Sequence, residues 1–372
     1  MHRSRASIVN LSRDELLLVT CFPLASSRKS ILIPRLSTPL RDDDDERKMR
    51  DDDEKAQPKS PTFCFATKRR GAFPPRPRPI VFLPPERNYA ARGLGLLGGD
   101  PASAADIEDC GAVTGRVHSI DTFTAVDGHG IRCIVFLQGC EKRCAFCCNV
   151  DSTHAALAKT PNPGHTMSVN DIVEILKRNR KYYASSEGGG LTLSGGECLL
   201  QPAFVEAVAI KTHEIGLTVA IDTAASGDAE TWNRVLPHVD VVLLCVKSSN
   251  LEKYKAITGT TEREYETMRA FLKELNRRRV KTWLRFVLMS DPNSRFVDFR
   301  TNDENELRGL AELAKTHQCV EGIELLPYHR FGEFKFSELG LEYKLEGMRT
   351  PDAEEIHAAQ TFLQSQGVTV IC

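Results

Sequence analysis

The chain lacks two features that would have pointed to nucleic acid or to a membrane. Its 49 Lys and Arg side chains are balanced by 50 Asp and Glu side chains, which leaves a formal charge of -1. No global field attracts nucleic acid or an anionic membrane, so we expect neither as a partner. Long apolar runs are also missing. The most apolar N-terminal stretch, residues 16–25, is interrupted by Pro23 and is shorter than the roughly 20 residues that cross a bilayer.

The cysteines lack the spread of a small disulfide-stapled domain. The chain has 12 of them, and four fall within positions 140–148. Such clustering indicates metal chemistry in a reducing compartment and argues against a disulfide framework.

Residues 1–113 show neither a helical nor a strand period. Their composition changes abruptly, from an Arg/Ser-rich start through an acidic run to a Pro/Arg tract. This pattern predicts a disordered extension. Basic residues outnumber acidic ones in the first 41 positions, as in a transit peptide for a chloroplast or mitochondrion, although the acidic run does not fit one. The alternatives are a cytoplasmic protein with an unstructured tail and an inaccurate gene start.

Residues 114–372 alternate short apolar or β-branched runs with longer helical patterns. This alternation predicts an α/β fold, a partial or complete parallel β/α barrel. The predicted strands are 132–138, 190–194, 217–222, 239–246, 280–288, 322–326 and 368–371, and the predicted helices are 169–177, 202–214, 262–277, 304–315 and 352–364.

The polar motifs fall at the predicted ends of the strands. A cysteine cluster follows the strand 132–138, the sequence SGGE follows the strand 190–194, and Asp222, Lys247 and His329 end or follow later strands. The chemistry of β/α barrels is located at the carboxyl ends of their strands. We therefore expect these residues to form one site.

The segment GCEKRCAFCCN places Cys140, Cys144 and Cys147 in a C-x3-C-x2-C spacing. Thiolates favour iron-sulfur clusters or zinc. Three cysteines leave one iron of a 4Fe-4S cluster without a protein ligand, so that iron can bind a substrate. Zinc with Cys148 as a fourth ligand is the alternative, but adjacent Cys147 and Cys148 side chains rarely converge on one tetrahedral ion.

The cysteine spacing resembles the defining motif of the radical S-adenosylmethionine (SAM) superfamily. Residues 115–372 are similar to pyruvate formate-lyase activating enzymes, which are glycyl radical enzyme activases. The similar segments are GRVHSIDTFTAVDGHGIR, FLQGCEKRCAFCCN, GGGLTLSGGECLLQ, AIDT, KTWLRFV and IELLPYHRFGEFKFSELGLEYKLEG.

This resemblance implies an oxidoreductase of anaerobic metabolism with two cofactors, a 4Fe-4S cluster and SAM. One electron, from a low-potential donor such as flavodoxin or ferredoxin, would split SAM into a 5'-deoxyadenosyl radical. That radical would remove a Cα hydrogen from a glycine of pyruvate formate-lyase. The remaining alternatives are activation of a different glycyl radical enzyme and a zinc-binding scaffold protein without catalysis.

The resemblance also assigns roles to single residues. Asp127 and Gly128 would face the target glycine loop. Without the resemblance, the expected roles are structural. Lys247 would be a solvated residue at a strand end, Arg285 a member of a structural ion pair, and His329 a histidine with its hydrogen bonds made within the protein. The SAM pocket that the resemblance implies comprises Phe146, Cys147, Cys148, Gly195, Gly196, Glu197, Asp222, Cys245, Val246, Lys247, Arg285 and His329.

Four positions depart from the family pattern. Cys148 replaces a usual histidine, His129 replaces a usual proline, and Leu243 stands where the family can offer a methionine sulfur. Cys245 replaces the aspartate of Asp-x-Lys, a carboxylate that would help to hold a monovalent cation beside SAM. A neutral thiol is a poor ligand for such a hard ion, so Cys245 argues against dependence on a cation.

Overall fold

The computed structural model describes residues 110–153, 159–160 and 162–371. The predicted disordered extension and transit peptide lie outside this range, except for residues 110–113. Cys110–Ala112 form one turn of 3-10 helix. Val113 packs against the main core, and its carbonyl accepts a hydrogen bond from the Val169 amide. The fold thus includes residues ahead of the predicted boundary at 114.

The described residues form nine strands and eight α-helices. The strands are β1 Thr114–Thr124, β2 Arg132–Leu137, β3 His165–Ser168, β4 Gly190–Gly195, β5 Thr218–Thr223, β6 Val241–Cys245, β7 Lys281–Leu288, β8 Val320–Pro327 and β9 Val370–Ile371. The helices are α1 Val169–Ala184, α2 Pro202–Glu214, α3 Ala229–Val235, α4 Leu251–Thr258, α5 Glu262–Arg278, α6 Glu304–Thr316, α7 Glu333–Glu338 and α8 Ala353–Ser365. No described helix is long and apolar enough to cross a membrane.

The strands form a single sheet in the order β3-β1-β2-β4-β5-β6-β7-β8-β9. From β2 to β9 all neighbours are parallel, whereas β1 is antiparallel to both β2 and β3. Between β2 and β8 every parallel step is made through at least one helix, as the βαβ rule requires. Within the described residues β3 and β9 are the free edges, so the barrel is partial.

Alternation along the strands gives the sheet two faces. Val219 and Ile221 of β5 point to the helix-covered face and join the main core with α1 and α2. Ala220 and Asp222 point to the opposite face, which we call the inner face. Ala220 packs there against Leu243 and Trp283.

The sheet is strongly curved about its inner face. Four strand-to-strand steps separate β2 from β7, which would place them about 19 Å apart in a flat sheet. Arg285 of β7 nevertheless donates to the Val126 carbonyl, in the loop before β2, at 2.9 Å. The His129 ring of that loop lies 4.6 Å from Trp283 of β7. The loop between β1 and β2 therefore bridges the concave side.

Every strand and helix predicted from the sequence is present, with bounds that differ by a few residues, except that α1 runs seven residues beyond its predicted end. Five elements were not predicted: β1, β3, α3, α4 and α7. The prediction of a parallel sheet is thus confirmed for β2 and β4–β9, and two antiparallel strands are added at its edge.

The Arg132 side chain holds the loop between β1 and β2 in place. Its side chain is 2 % exposed and donates to Thr192 Oγ1 at 2.7 Å and to the carbonyls of His129 and Gly188. Burial lowers the pKa of Arg132 to about 10. The guanidinium is thus held mainly by neutral acceptors.

We predict that Arg132→Met lowers the free energy of unfolding by about 3 kcal/mol, because buried carbonyl groups lose their donor. Denaturant titration of the full chain measures this. Arg263→Met, at an exposed position of α5, should change the free energy by less than about 0.5 kcal/mol. Equal effects of the two substitutions would contradict a special role for Arg132.

Candidate active site

The cysteine loop leaves β2 and is closed at its base. The Gly139 amide donates to the Ser152 carbonyl at 2.8 Å, and Gln138 Nε2 donates to the Asp151 carbonyl at 3.2 Å. The middle of the loop is bonded to the end of α4, where the amides of Arg143 and Ala145 donate to carbonyls at 2.8 Å. The loop is therefore a compact Ω-type loop with a fixed backbone.

The three motif thiols lie close enough to influence one another. Burial raises the pKa of Cys140 to about 12, and Cys144 and Glu197 add to the increase. Burial also raises the pKa of Cys147 well above its ordinary value, with further increases from Cys148, Cys144 and Cys140. A soft metal group would displace these protons and relieve the repulsion. The donor set fits an iron-sulfur cluster.

Zinc requires ligands that converge on a point. Among the described residues, no three His, Cys, Asp or Glu side chains are arranged to hold a single metal ion.

The segment after β8 forms the back of the cysteine loop. A Cβ on Gly332 would lie 2.5 Å from the Cys147 carbonyl oxygen, so only glycine fits. Phe336 of α7 packs with Val150 and Cys147. Asp151 then joins this segment to β1, because it accepts from His118 Nε2 at 3.0 Å and from Lys335 Nζ at 2.9 Å.

The SGGE turn packs directly on the same loop. A Cβ on Gly196 would lie 2.2 Å from the Gly139 carbonyl oxygen, and one on Gly195 would lie 2.1 Å from the Leu137 amide nitrogen. Gly195 also has a φ of 114°, which favours glycine. These two glycines thus bring the backbone of the turn against the cysteine loop.

Glu197 is used within the protein. It is 1 % exposed. Its oxygens accept from Thr223 Oγ1 at 2.6 Å and from the amides of Leu199 and Ala224. The carboxylate therefore links the turn to the end of β5.

Arg285 is the centre of an ion network on the inner face. It contacts Asp127 at 3.2 Å, Asp222 at 3.3 Å and Glu324 at 2.6 Å. Burial alone would lower the pKa of Arg285, but Asp222, Glu324 and Asp127 raise it well above its ordinary value. The guanidinium is 7 % exposed. It therefore acts as the counter-ion of three carboxylates.

Both carboxylate oxygens of Asp222 accept hydrogen bonds. Ser194 Oγ donates to Oδ2 at 2.8 Å, the oxygen that Arg285 also contacts, and Cys245 Sγ donates to Oδ1 at 3.3 Å. Burial raises the pKa of Cys245 to about 12, with Asp222 adding to the increase. Cys245 is therefore a neutral donor in this site.

Lys247 faces the cysteine loop. Its Nζ lies 5.4 Å from the centre of the Phe146 ring. Burial would lower the pKa of Lys247, but Cys245, Cys144 and Asp222 together raise it. The side chain is thus a stable cation beside the motif thiols. Val246, between these two residues, is fully buried on the helix side of the sheet.

His329 follows β8 and is half-buried. Its ring lies 4.7 Å from Phe331, and burial lowers its pKa. A neutral imidazole is therefore favoured at physiological pH.

The chain is similar in sequence to known proteins. Residues 126–260 match the family model described as a 4Fe-4S single cluster domain. A pyruvate formate-lyase-activating enzyme of Clostridium pasteurianum is 37% identical over 252 residues, which is 68% of this chain and 98% of that protein. The chain belongs to the pyruvate formate-lyase-activating enzyme family. A second member, from Streptococcus mutans, is 32% identical over 260 residues, which is 68% of this chain and 92% of that protein.

A solved domain of a pyruvate-formate lyase-activating enzyme from Bacteroides vulgatus has a TM-score of 0.40 and 22% identity, and it covers 50% of this chain and 98% of that one.

The structure gathers most of the residues predicted for this activating-enzyme site. Asp127, Asp222, Cys245 and Arg285 form one network, and Gly195 and Gly196 adjoin the cysteine loop. The side chains of Glu197 and Val246 point away into the protein, and Gly128 packs against Arg132 and Ala220 beneath the network. Four residues of the site were not predicted from the sequence: Glu324, Ser194, Lys142 and Asp151. Only Glu324 could have been suspected from the sequence, because it is a charged residue within an otherwise apolar strand.

We predict that Glu197→Gln destabilises this activating enzyme by about 2 to 3 kcal/mol. The NH2 group of glutamine would face a hydroxyl or amide group that now donates to the carboxylate, so two hydrogen-bond donors would face each other. Thermal unfolding of the full chain is the measurement. Glu187→Gln, at an exposed position ahead of β4, is the matched control and should leave the midpoint unchanged.

Proposed function

We propose that this chain is a radical SAM activase that installs a glycyl radical on pyruvate formate-lyase. The observation that carries the proposal is the closed loop of Cys140, Cys144 and Cys147, with Lys247 and the SGGE turn beside it. The names of the relatives support the choice of partner. We further propose a low-potential donor, flavodoxin or ferredoxin, and an organellar location directed by the N-terminal extension.

In this proposal, Cys140, Cys144 and Cys147 hold a 4Fe-4S cluster that leaves one iron open for SAM. When bound, these two cofactors supply the electron transfer and the hydrogen abstraction from glycine. The protein supplies binding and orientation. The cysteine loop is already fixed by its bonds to Ser152 and α4, so its ligands need no large rearrangement.

The residues around the thiols suit the groups of SAM. Lys247 is a cation that can pair with a carboxylate in a partly dry cleft. The turn of Gly195 and Gly196 presents backbone groups to the amino-acid part. The three carboxylates around Arg285 exceed its single positive charge. That excess favours a cationic ligand such as the sulfonium.

We assign Asp127 to the floor of the substrate site. It is 6 % exposed, and it is held by Thr124 at 2.7 Å and by Arg285. A glycine loop that enters from the carboxyl ends of the strands would meet this network at the end of its path. Gly128 would act beneath it, by letting the loop pack on Arg132.

The direct test is electron paramagnetic resonance of the anaerobically reconstituted full chain after reduction and addition of SAM and pyruvate formate-lyase. We expect a glycyl radical doublet. Cys144→Ala should abolish it, because one thiolate ligand of the cluster is lost. Cys319→Ala, which removes a buried cysteine directly before β8 and far along the chain from the loop, should retain it.

Other outcomes separate the alternatives. SAM cleavage without a doublet would keep the superfamily assignment and reject this partner, in favour of another glycyl radical enzyme. A chain that retains only zinc would reject catalysis altogether.

A second prediction concerns cations. Both oxygens of Asp222 are engaged by Ser194, Cys245 and Arg285, so SAM affinity should not change when K⁺ and Na⁺ are replaced by tetramethylammonium. Cys245→Asp adds a hard oxygen ligand and should create a K⁺ dependence of about fivefold or more, typical of coupled sites. Equilibrium binding of SAM measures both. A strong K⁺ dependence of the unaltered chain would contradict the assignment.

A further inference from the structure

Lys142 is a buried cation within the cysteine loop. It lies between Cys140 and Cys144 and is 3 % exposed. Its neighbours Glu141 and Arg143 are both exposed. Lysine is rarely buried to this extent unless its charge is paired, because removal of an ammonium group from water is costly.

The bonds of Lys142 within the described residues do not pair its charge. Nζ donates to Ser226 Oγ, in the loop after β5, at 3.1 Å. A hydroxyl group is a neutral acceptor. The described ion pairs of this site involve Arg285 and do not include Lys142. Lys142 interacts electrostatically with the Glu264 carboxylate of α5, but that carboxylate is half-buried and accepts from the Thr261 amide. A negative charge that matches Lys142 is therefore expected from a group that the loop binds.

A buried carboxylate lies beside the Cys140 end of the loop. The Glu197 amide donates to the Gly139 carbonyl at 2.8 Å, and the residue is 1 % exposed. Glu197 is fixed by Thr223 and by two amides, so it cannot turn away. Without Lys142, the Cys140 side of the loop would carry an uncompensated carboxylate.

We propose that Lys142 is the counter-ion of the reduced cluster, an inference that rests on the proposed binding of a 4Fe-4S cluster by the three cysteines. A four-iron cluster with three thiolate ligands is an anion, and one-electron reduction makes it more negative. A buried cation stabilises the reduced form more than the oxidised form and so raises the midpoint potential. Lys142 thereby brings the midpoint potential of the cluster within reach of the proposed low-potential donor.

The test is a potentiometric titration of the reconstituted full chain, in which the electron paramagnetic resonance signal of the reduced cluster is measured at each potential. Lys142→Gln keeps a hydrogen-bond donor for Ser226 and removes the charge. We expect unchanged iron content and a reduction equilibrium constant about tenfold lower, equivalent to about 59 mV for one electron. Lys142→Arg keeps the charge and should restore the potential.

Arg143→Gln is the matched control. It removes the same charge from the neighbouring position of the same loop, but there solvent and salt screen the charge. Its potential should equal that of the unaltered chain. A role for Lys142 that is only structural predicts equal potentials in Lys142→Gln and Arg143→Gln, and that result would overturn the proposal.

Ser226→Asp gives an independent test if Lys142→Gln does not retain the cluster. This variant leaves the lysine in place and neutralises it with an adjacent carboxylate, so the potential should again fall. An unchanged potential in Ser226→Asp would overturn the role of Lys142 alone. An unaltered chain that binds no cluster would overturn the proposed function together with it.

Discussion

The site depends on one guanidinium group. Arg285 belongs to β7, yet it contacts a carbonyl and a carboxylate from the loop before β2 and two further carboxylates from β5 and β8. These contacts join parts of the sheet that would be far apart if it were flat, so the network and the curvature support each other. Because the group is buried, its attraction to the carboxylates is weakly screened, and the loss of any one partner leaves the others unbalanced.

The parallel part of the fold could be predicted because its information is local. Buried parallel strands have apolar runs, and the helices between them have a clear period, as in α5 and α6. β1 and β3 were missed because their side chains are largely half-buried or exposed. Such strands are defined by the partners they pair with, and pairing between distant residues leaves little trace in the local sequence. The short helices α3, α4 and α7 have too few turns to show a period.

Part of the site could be predicted because the carboxyl ends of parallel strands lie at the same edge of a sheet. Cys140, Gly195, Asp222 and Cys245 lie where that rule places them. The rule does not say where a side chain points or what it bonds to. The family resemblance placed Glu197 in the SAM pocket, but its oxygens are bonded to Thr223 at the end of β5 and to the Ala224 amide that follows. Glu324 became recognisable as a site residue only when its neighbour across the sheet was known to be Arg285.

The closed base of the cysteine loop has a consequence for the length of this segment. Gly139 and Ser152 are joined, and the middle of the loop is bonded to the end of α4, so an added or deleted residue would strain or break at least one of these bonds. The loop can therefore vary in its exposed side chains, such as Glu141 and Arg143, far more easily than in its number of residues.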